Sequence, residues 1–303
     1  MSQLAHDLRA SIRSIRRRPL IPIVAVTILA LGLAACVAVF TYINGFHQTF
    51  PGVNARGLVR VFGVEAEEPY QDIAYLDFLD YETANAASAD GAFEGLAAAQ
   101  AYYAASVRHA TETGVAFLEA VSGDYFRVLE IEMGIGRGLA AGNDRPAADP
   151  VAVLSHSWWQ RSFGGDTQIL GSTLYLNNRP FTIVGVTSPK FLGSTSGTRP
   201  DVWIPIAPFK DRYTNWAAAS EDRNIPLIRV FSRLKSGVGK DQALEQLNLM
   251  ARGLDETYPG RPEPRRLSLG QATWIDPRDR VAEQPTLRLM MVAAGVLLLL
   301  TYA

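Results

Sequence analysis

Residues 151–188 read VAVLSHSWWQRSFGGDTQILGSTLYLNNRPFTIVGVTS, and they combine three local patterns within one segment. Four apolar residues predict a short strand. The next residues predict a helix that begins at Ser155 or Ser157 and ends at the glycine pair that follows. Two alternating runs around a turn at Asn177–Pro180 predict a β-hairpin. Strands and helices mixed in this way indicate an α+β fold.

The same mixture continues on both sides of this segment. Upstream, the patterns predict strands at 57–64 and within 93–122, a helix in 72–85, and a short helix in 122–131 with Ser122 as its N-cap. Downstream, they predict a strand at 226–235, a helix in 236–260, a last strand at 265–274 and a polar linker at 275–286. The glycine-rich MGIGRG at 133–138 lacks the dinucleotide-binding spacing and predicts a tight loop.

Two apolar runs lie outside this mixed region, one towards each end of the sequence. No charged residue lies between Arg18 and His47, and Leu20–Ile43 would reach about 36 Å as a helix, enough to cross a bilayer with some tilt. Leu289–Ala303 is also uncharged but would reach only about 22 Å. This second run is therefore either a cut-off span or a buried core helix.

The charges ahead of the first run predict its orientation. Residues 1–19 hold five arginines against one aspartate, so the positive-inside rule places the N-terminus in the cytoplasm. Apolar residues recur there at helical spacing, at Leu4, Leu8, Ile12 and Ile15, which predicts an interfacial amphipathic helix, with a solvated charged helix as the alternative.

These patterns divide the chain into four predicted parts. They are a cytoplasmic amphipathic helix over 1–19, a first transmembrane helix over 20–46, a core domain over 47–287 that the topology places in the periplasm, and a last segment over 288–303 that is either a truncated second transmembrane helix or a buried core helix.

Cys36 is the single cysteine, so the chain has neither an internal disulfide nor a multi-cysteine zinc site. Leu33–Cys36 has the form of a lipoprotein cleavage site, and the arginine cluster followed by apolar residues also fits a cleavable signal peptide. However, the run stays apolar for ten residues after Cys36, where a mature lipoprotein usually has a polar tether. We therefore expect residues 1–35 to be retained and Cys36 to stay unmodified within the span.

No motif predicts catalysis, a cofactor or a metal site. The four histidines (His6, His47, His109 and His156) lie in unrelated segments, and no GxxxxGK[ST] loop is present for ATP phosphates. We therefore expect no catalytic, cofactor-binding or metal-binding residues, and no enzymatic activity. A net charge of −1 gives no indication of nucleic-acid binding.

Three short motifs have a structural interpretation that is favoured over a functional one. Ser232–Lys235 fits S-x-x-K of serine acylating enzymes, but its K-S-G partner shares Lys235, so the two cannot flank a substrate. Ser155 and His156 are neighbours and point in different directions. Trp158 and Trp159 are adjacent on a helix, so at most one is expected to face the core squarely; partial exposure of the other at a contact surface is the alternative, and packing is favoured.

Four segments together resemble a known family, the MacB-like permeases of the FtsX superfamily, and in particular the two-repeat permeases without a fused ATPase. The segments are DLRASIRSIRRRPLIPIVAVTILALGLAACVAVFTYING (7–45), VSGDYFRVLEIEMGIGRGL (121–139), VAVLSHSWWQRSFGGDTQILGSTLYLNNRPFTIVGV (151–186) and RLKSGVGKDQALEQL (233–247). The resemblance covers nearly the whole chain in order. It implies that the last apolar run is the first part of a second span.

The resemblance implies a periplasmic core domain with a βα-rich porter-like part at about 57–140 and 225–276, interrupted by a smaller β-rich insertion at about 141–224. It implies the N-terminal part of an ABC-type permease in the bacterial inner membrane, which couples ATPase-driven helix motion to export or mechanotransmission. The implied partners are a separate cytoplasmic ABC ATPase, the lipid bilayer, and a second permease half or periplasmic protein. A two-span sensor and a membrane-anchored periplasmic enzyme or binding protein are the alternatives.

Overall fold

A computed structural model describes residues 20–45, 48–65, 68–88, 90–100, 103–110, 112–145, 147–197, 199–207, 214–261 and 263–302. The amphipathic helix predicted for residues 1–19 lies outside these ranges. The chain forms two compact units, of which one is the core domain Thr49–Trp274 and the other contains the segments before and after it.

The described elements follow one another as a mixture of helices and strands. The helices are α1 (Leu20–Gly45), α2 (Tyr75–Ala87), α3 (Tyr125–Val128), α4 (His156–Phe163), α5 (Thr214–Glu221), α6 (Lys240–Thr257) and α7 (Pro277–Tyr302). The strands are β1 (Leu58–Gly63), β2 (Phe93–Gln100), β3 (Tyr103–His109), β4 (Glu112–Val121), β5 (Met133–Gly136), β6 (Val151–Leu154), β7 (Thr173–Leu176), β8 (Arg179–Thr187), β9 (Val202–Pro205), β10 (Ile228–Leu234) and β11 (Leu267–Gln271). The core domain is therefore of mixed helix and strand composition, as the sequence predicts.

The strands of the core domain join into one sheet that is open at one end and closed at the other. The order is β11-β1-β10-β2-β4-β3-β7-β8-β6-β9, and β9 also pairs with β4. The six strands from β4 to β9 in this order therefore form a closed ring, and β2, β10, β1 and β11 extend from β4 as an open sheet. The β4–β9 and β6–β8 pairs are parallel.

Strand periodicity places apolar side chains on both faces of the sheet. In β2, Leu96 and Ala98 belong to one buried cluster, whereas Ala97 and Ala99 belong to another. Helix α6 packs Ala243 and Leu247 into the first of these clusters. Because successive residues of a strand point to opposite faces, a central strand covered on both sides is apolar at nearly every position.

The segment 151–188 folds as predicted. Ser155 caps α4, because its side chain accepts a hydrogen bond from the amide of Trp158, and Gly164 ends the helix in the left-handed region at φ 59°. The hairpin of β7 and β8 turns at Asn177 and Asn178, with φ of 48° and 63°. Asparagine is among the residues that tolerate the positive φ of such turns.

Three local predictions are wrong. Ser122 does not cap α3, because its hydroxyl accepts the amide of Ala98 and so joins β4 to β2. Met133–Gly136 is a strand that pairs with β8, and only its last glycine has a positive φ. The segment 275–286, predicted to be a linker, contains the first turns of α7, where Asp276 accepts the amide of Arg278 and Pro277 takes the first helical position.

Helices α1 and α7 pack against each other in the unit outside the core domain. Their apolar side chains are largely exposed, as Leu20 at 75%, Phe40 at 72% and Leu289 at 71% illustrate. Among the described residues, no helix combines the length and the apolar character needed to cross a membrane. The predicted spans, and the division of the core domain at 141 and 224, stay predictions.

Candidate functional site

A cluster of charged side chains joins four segments at one end of the core domain. Asp77 of α2 is buried, and its carboxylate accepts from Arg265 Nε at 2.7 Å and from Arg223 Nη1 at 2.7 Å. Arg265 also contacts Asp255 of α6 at 2.6 Å, and Arg223 contacts Asp80 at 2.7 Å. We call these five residues the Asp77 cluster.

The charged side chains of the Asp77 cluster are paired with one another. Its two arginines each contact two carboxylates, and the cavity beside them measures only ≈ 40 Å³. Burial, reinforced by the charge of Asp77, raises the pKa of Tyr81 well above its ordinary value, so this phenol stays neutral. The arrangement fastens α2, α6 and the segments that precede β10 and β11, and it leaves little space for a ligand.

A second buried charge joins the closed ring to the open sheet. Glu119 of β4 accepts from Arg229 of β10 at 2.6 Å and from Trp203 Nε1 of β9 at 2.8 Å. Ser194 also donates to it, at 3.4 Å. Burial, followed by the charge of Glu119, raises the pKa of Tyr125. This site fixes three strands that lie far apart in sequence.

An open groove lies beside the ring and differs from both buried sites. Its volume is ≈ 770 Å³, and it is lined by Val115 and Phe117 of β4, Ser157, Trp158, Arg161 and Ser162 of α4, Gly197, Arg199 and Asp201 of the loop before β9, and Trp274. Val115 is 66% exposed and Phe117 is 42% exposed. We call this site the β4–α4 groove.

The groove exists because β9 begins too late to cover all of β4. The parallel β4–β9 pairing starts at Leu118, so within the described part of the chain β3 is the only strand that pairs with β4 before that residue. Beside Phe117 the place of a strand is taken by Asp201, whose amide donates to the Phe117 carbonyl at 2.7 Å.

Asp201 is held firmly at the edge of the groove. Its carboxylate accepts from the amide of Phe117 and from Arg161 Nη2, both at 3.1 Å. Burial raises the pKa of Asp201, and these two hydrogen bonds partly offset the rise. The Asp201 side chain is 11% exposed whereas that of Arg161 is 62% exposed, so the pair presents its guanidinium to the groove.

The structure places the candidate residues of the sequence in structural roles. Ser155 bonds the amide of Trp158, and the His156 ring packs edge-on against Trp159. Ser232 is buried, and its hydroxyl donates to the Gly95 carbonyl. His109 lies near Ser172, and His6 and His47 are outside the described residues. The motifs are therefore not brought together into one site.

Both tryptophans of α4 are buried, which agrees with the favoured packing interpretation, although the sequence predicts that at most one of them faces the core squarely. Trp158 is 6% exposed and Trp159 is 8% exposed. Trp158 packs edge-on against Phe163, with ring centroids 5.0 Å apart, and Trp159 donates its indole N–H to the Asp166 carbonyl. The short segment that follows the helix folds back over it, and this covers a second side of α4.

Sequence reasoning missed the groove. Its signal is present in β4, where Val115 and Phe117 alternate with Ala116 and Leu118, so that large apolar residues occupy both faces of one strand. Among the described residues, no three or more His, Cys, Asp or Glu side chains are grouped in a way that could hold a metal. Cys36 is a free thiol in α1 with intermediate exposure.

Comparisons with known proteins agree with this fold. The chain is 28% identical over 129 residues to the macrolide export ATP-binding/permease protein MacB of Salmonella paratyphi A, and 28% identical over 131 residues to a protein described as export ATP-binding/permease protein MacB in Pseudomonas entomophila. These alignments cover 42% and 43% of this chain, but only 18% of each relative.

A solved domain of a protein described as a permease, from Porphyromonas gingivalis, superimposes with a TM-score of 0.52 at 18% identity. The match covers 75% of this chain and 95% of that domain, and it concerns the fold alone. The family described as the MacB-like periplasmic core domain matches residues 23–249, which is most of the chain. This chain therefore belongs to the MacB-like periplasmic core domain family.

Proposed function

We propose that this chain is the N-terminal part of an ABC-type permease subunit of the bacterial inner membrane, with its core domain in the periplasm. The observation that carries the proposal is the family match across residues 23–249, which includes most of α1 as well as the core domain. In this proposal the core domain passes on ATPase-driven helix motion to an exported cargo or to a partner protein.

The two long helices support a membrane location. Both carry exposed large apolar side chains, such as Ile23 and Val37 in α1 and Met291 and Val292 in α7. Exposed apolar surface of this extent is unfavourable in water and favourable in a bilayer, by about 25 cal/mol for each Å² transferred. We propose that α1 and α7 cross the bilayer and that the arginine-rich N-terminus lies in the cytoplasm.

We assign ATP hydrolysis to a separate partner protein. The relatives are named as ATP-binding/permease proteins, whereas the sequence of this chain contains no phosphate-binding loop. We propose a separate cytoplasmic ABC ATPase as the partner, and no enzymatic activity for this chain. A second permease half or a periplasmic protein would complete the assembly.

A topology measurement tests the proposal. A reporter enzyme that is active only outside the cytoplasm is fused after Gly165, which follows α4. We expect an active reporter at this site and an inactive one when the fusion point is Arg18. An inactive reporter after Gly165, with full-length fusion protein present in the membrane fraction, would contradict the proposed location.

A nucleotide measurement tests the assignment of the ATPase. The purified chain should neither bind nor hydrolyse ATP, and hydrolysis should appear only when an ABC ATPase is added. Binding of a radiolabelled ATP analogue that persists after contaminating ATPases have been removed would contradict the assignment.

A further inference from the structure

We propose that the β4–α4 groove binds a small anionic amphiphile, a free molecule with one acidic head group and one apolar body. This inference rests on the proposed function, because the ligand would be the exported cargo. Its binding can nevertheless be measured without transport, so the two ideas can fail separately.

The apolar part of the ligand is assigned to the wall formed by β4. Val115 and Phe117 project from the same face of the strand, two residues apart, and both are substantially exposed. Trp274 lines the same groove, and its carbonyl accepts the amide of Ser196, which joins it to the loop that contains Gly197. Two aromatic side chains and one branched side chain on a supported wall are typical of sites for apolar groups.

The acidic head group is assigned to the α4 side. Arg161 lies on α4 with Ser157 one turn before it, so both project to the same face of the helix. The Asp201 carboxylate accepts from the Phe117 amide and from Arg161, and its side chain is 11% exposed whereas that of Arg161 is 62% exposed. The guanidinium of this pair, rather than the carboxylate, therefore faces the groove and can donate to an acidic head group.

The volume of the groove decides between a free amphiphile and a bilayer lipid. At ≈ 770 Å³ it lies in the range of sites for drug-sized ligands, about 300–1,000 Å³. This volume suits one short chain with its head group, and we assign a single-chain molecule that enters from solution as the occupant.

A second surface of the core domain provides a matched comparison. A shallow site of ≈ 620 Å³ on α6 is lined by Asp241, Leu244, Glu245, Asn248, Leu249 and Arg252. Leu249 is 60% exposed, so this surface also offers an apolar side chain near an arginine. It has no aromatic residue, however, and its two carboxylates would repel an acidic head group.

Photolabelling of the full chain in lipid nanodiscs tests the proposal. The probe is decanoate with a diazirine on its chain, and the labelled peptides are mapped by mass spectrometry. We expect labelling of the peptides that contain Val115–Phe117 and Ser157–Ser162. Excess unlabelled decanoate should reduce this labelling at least tenfold, whereas excess decyltrimethylammonium should change it less than twofold.

Variants locate the site. Phe117→Ala and Arg161→Gln should each lower groove labelling at least fivefold, and Arg161→Lys should retain more labelling than Arg161→Gln because the positive charge is kept. The controls Leu249→Ala and Arg252→Gln should leave it unchanged. Tryptophan emission checks that each variant is folded, and Phe117→Ala, at an exposed position, keeps the test valid if Arg161→Gln is unstable.

Three results would overturn the inference. They are labelling confined to α1 and α7, equal competition by the cationic amphiphile, and groove labelling that the Phe117 and Arg161 variants do not reduce. Failure of labelling in a chain whose Gly165 reporter is active would reject the binding site and leave the proposed permease function intact.

Discussion

The Asp77 cluster and the β4–α4 groove are built from the same chemical groups but use them in opposite ways. In the cluster, Arg265 is 4% exposed and contacts two carboxylates, so its positive charge is neutralised within the protein. In the groove, Arg161 is 62% exposed and contacts Asp201 from the solvent side. A buried arginine–aspartate pair therefore holds segments together, whereas a half-exposed pair leaves a guanidinium available to a ligand.

Asp77→Ala should produce the largest loss of stability. Removing this carboxylate leaves Arg265 buried without one of its two counter-charges, and breaking a buried pair in this way costs about 3–5 kcal/mol. Thermal unfolding followed by tryptophan emission measures the change, because Trp216 packs 5.9 Å from Tyr75 of α2. Asp90→Ala, at an exposed aspartate, serves as the control. A loss of less than 1 kcal/mol would mean that the cluster does not fasten the domain.

Glu119→Gln should produce an intermediate loss. The amide keeps the shape of the side chain and one acceptor, but it removes the negative charge that Arg229 contacts at 2.6 Å. Hydrogen bonds to charged groups contribute about 1.5–3 kcal/mol, so a loss in this range is expected in chemical unfolding. Glu112→Gln, exposed on the same strand, should change stability by less than about 0.5 kcal/mol. Equal effects of the two substitutions would contradict a joining role for Glu119.

Acid should stabilise the core domain through Asp144 and Glu82. Burial raises the pKa of Asp144 to about 6, although the amides of Ala207 and Gly123 donate to it. Burial, with the charges of Asp124 and Asp144, raises the pKa of Glu82 to about 7. Because both pKa values are raised, the folded state binds more protons than the unfolded state between about pH 4 and 7, and stability falls as pH rises through this window.

The sign of this pH effect can be checked directly. The thermal midpoint should be higher at pH 5 than at pH 7.5, and Glu82→Gln should flatten the upper part of the slope. Asp144→Asn should flatten the part near pH 6, although it also weakens one of the two amide contacts. A midpoint that increases steadily from pH 5 to pH 7.5 would contradict the assigned direction.

Substitutions in the groove should have the smallest effect on stability. Phe117 is 42% exposed, so Phe117→Ala removes only part of the apolar area that a fully buried phenylalanine would lose and should cost about 1–2 kcal/mol. Leu249→Ala on α6 should behave in the same way. The contrast with Asp77→Ala separates residues that hold the fold from residues that remain available for binding. A loss of several kcal/mol for Phe117→Ala would place it in the core instead.

Local sequence patterns predict the helix caps, turns and helices that neighbouring residues determine. The cap at Ser155, the asparagine turn of the hairpin and the helix predicted in 236–260 each depend on neighbours within one or two turns, and the structure confirms them. Burial of both tryptophans of α4 depends on the segment after the helix, which the pattern of the helix alone does not include.

Contacts between distant segments could not be predicted from the sequence. Glu119 meets Arg229 and Trp203 only because β9 returns to pair with β4, and that pairing also leaves the groove open beside Phe117. Neither the periodicity nor the residue spacing of a single sequence indicates that two distant strands pair in this way. The helix that begins at Pro277 was predicted to be a linker because its first turns are polar, although Asp276 and Pro277 form a favourable helix start.

The most direct test of the central claim, a periplasmic core domain held between membrane helices, is cysteine labelling in intact cells. In a Cys36→Ala background the chain has no other cysteine, so Ala141→Cys, at an exposed position in the core domain, and Ser2→Cys each report one location. With a membrane-impermeant maleimide, we expect Ala141→Cys to be labelled in intact cells and Ser2→Cys only after lysis. Labelling of Ala141→Cys only after lysis would contradict the account.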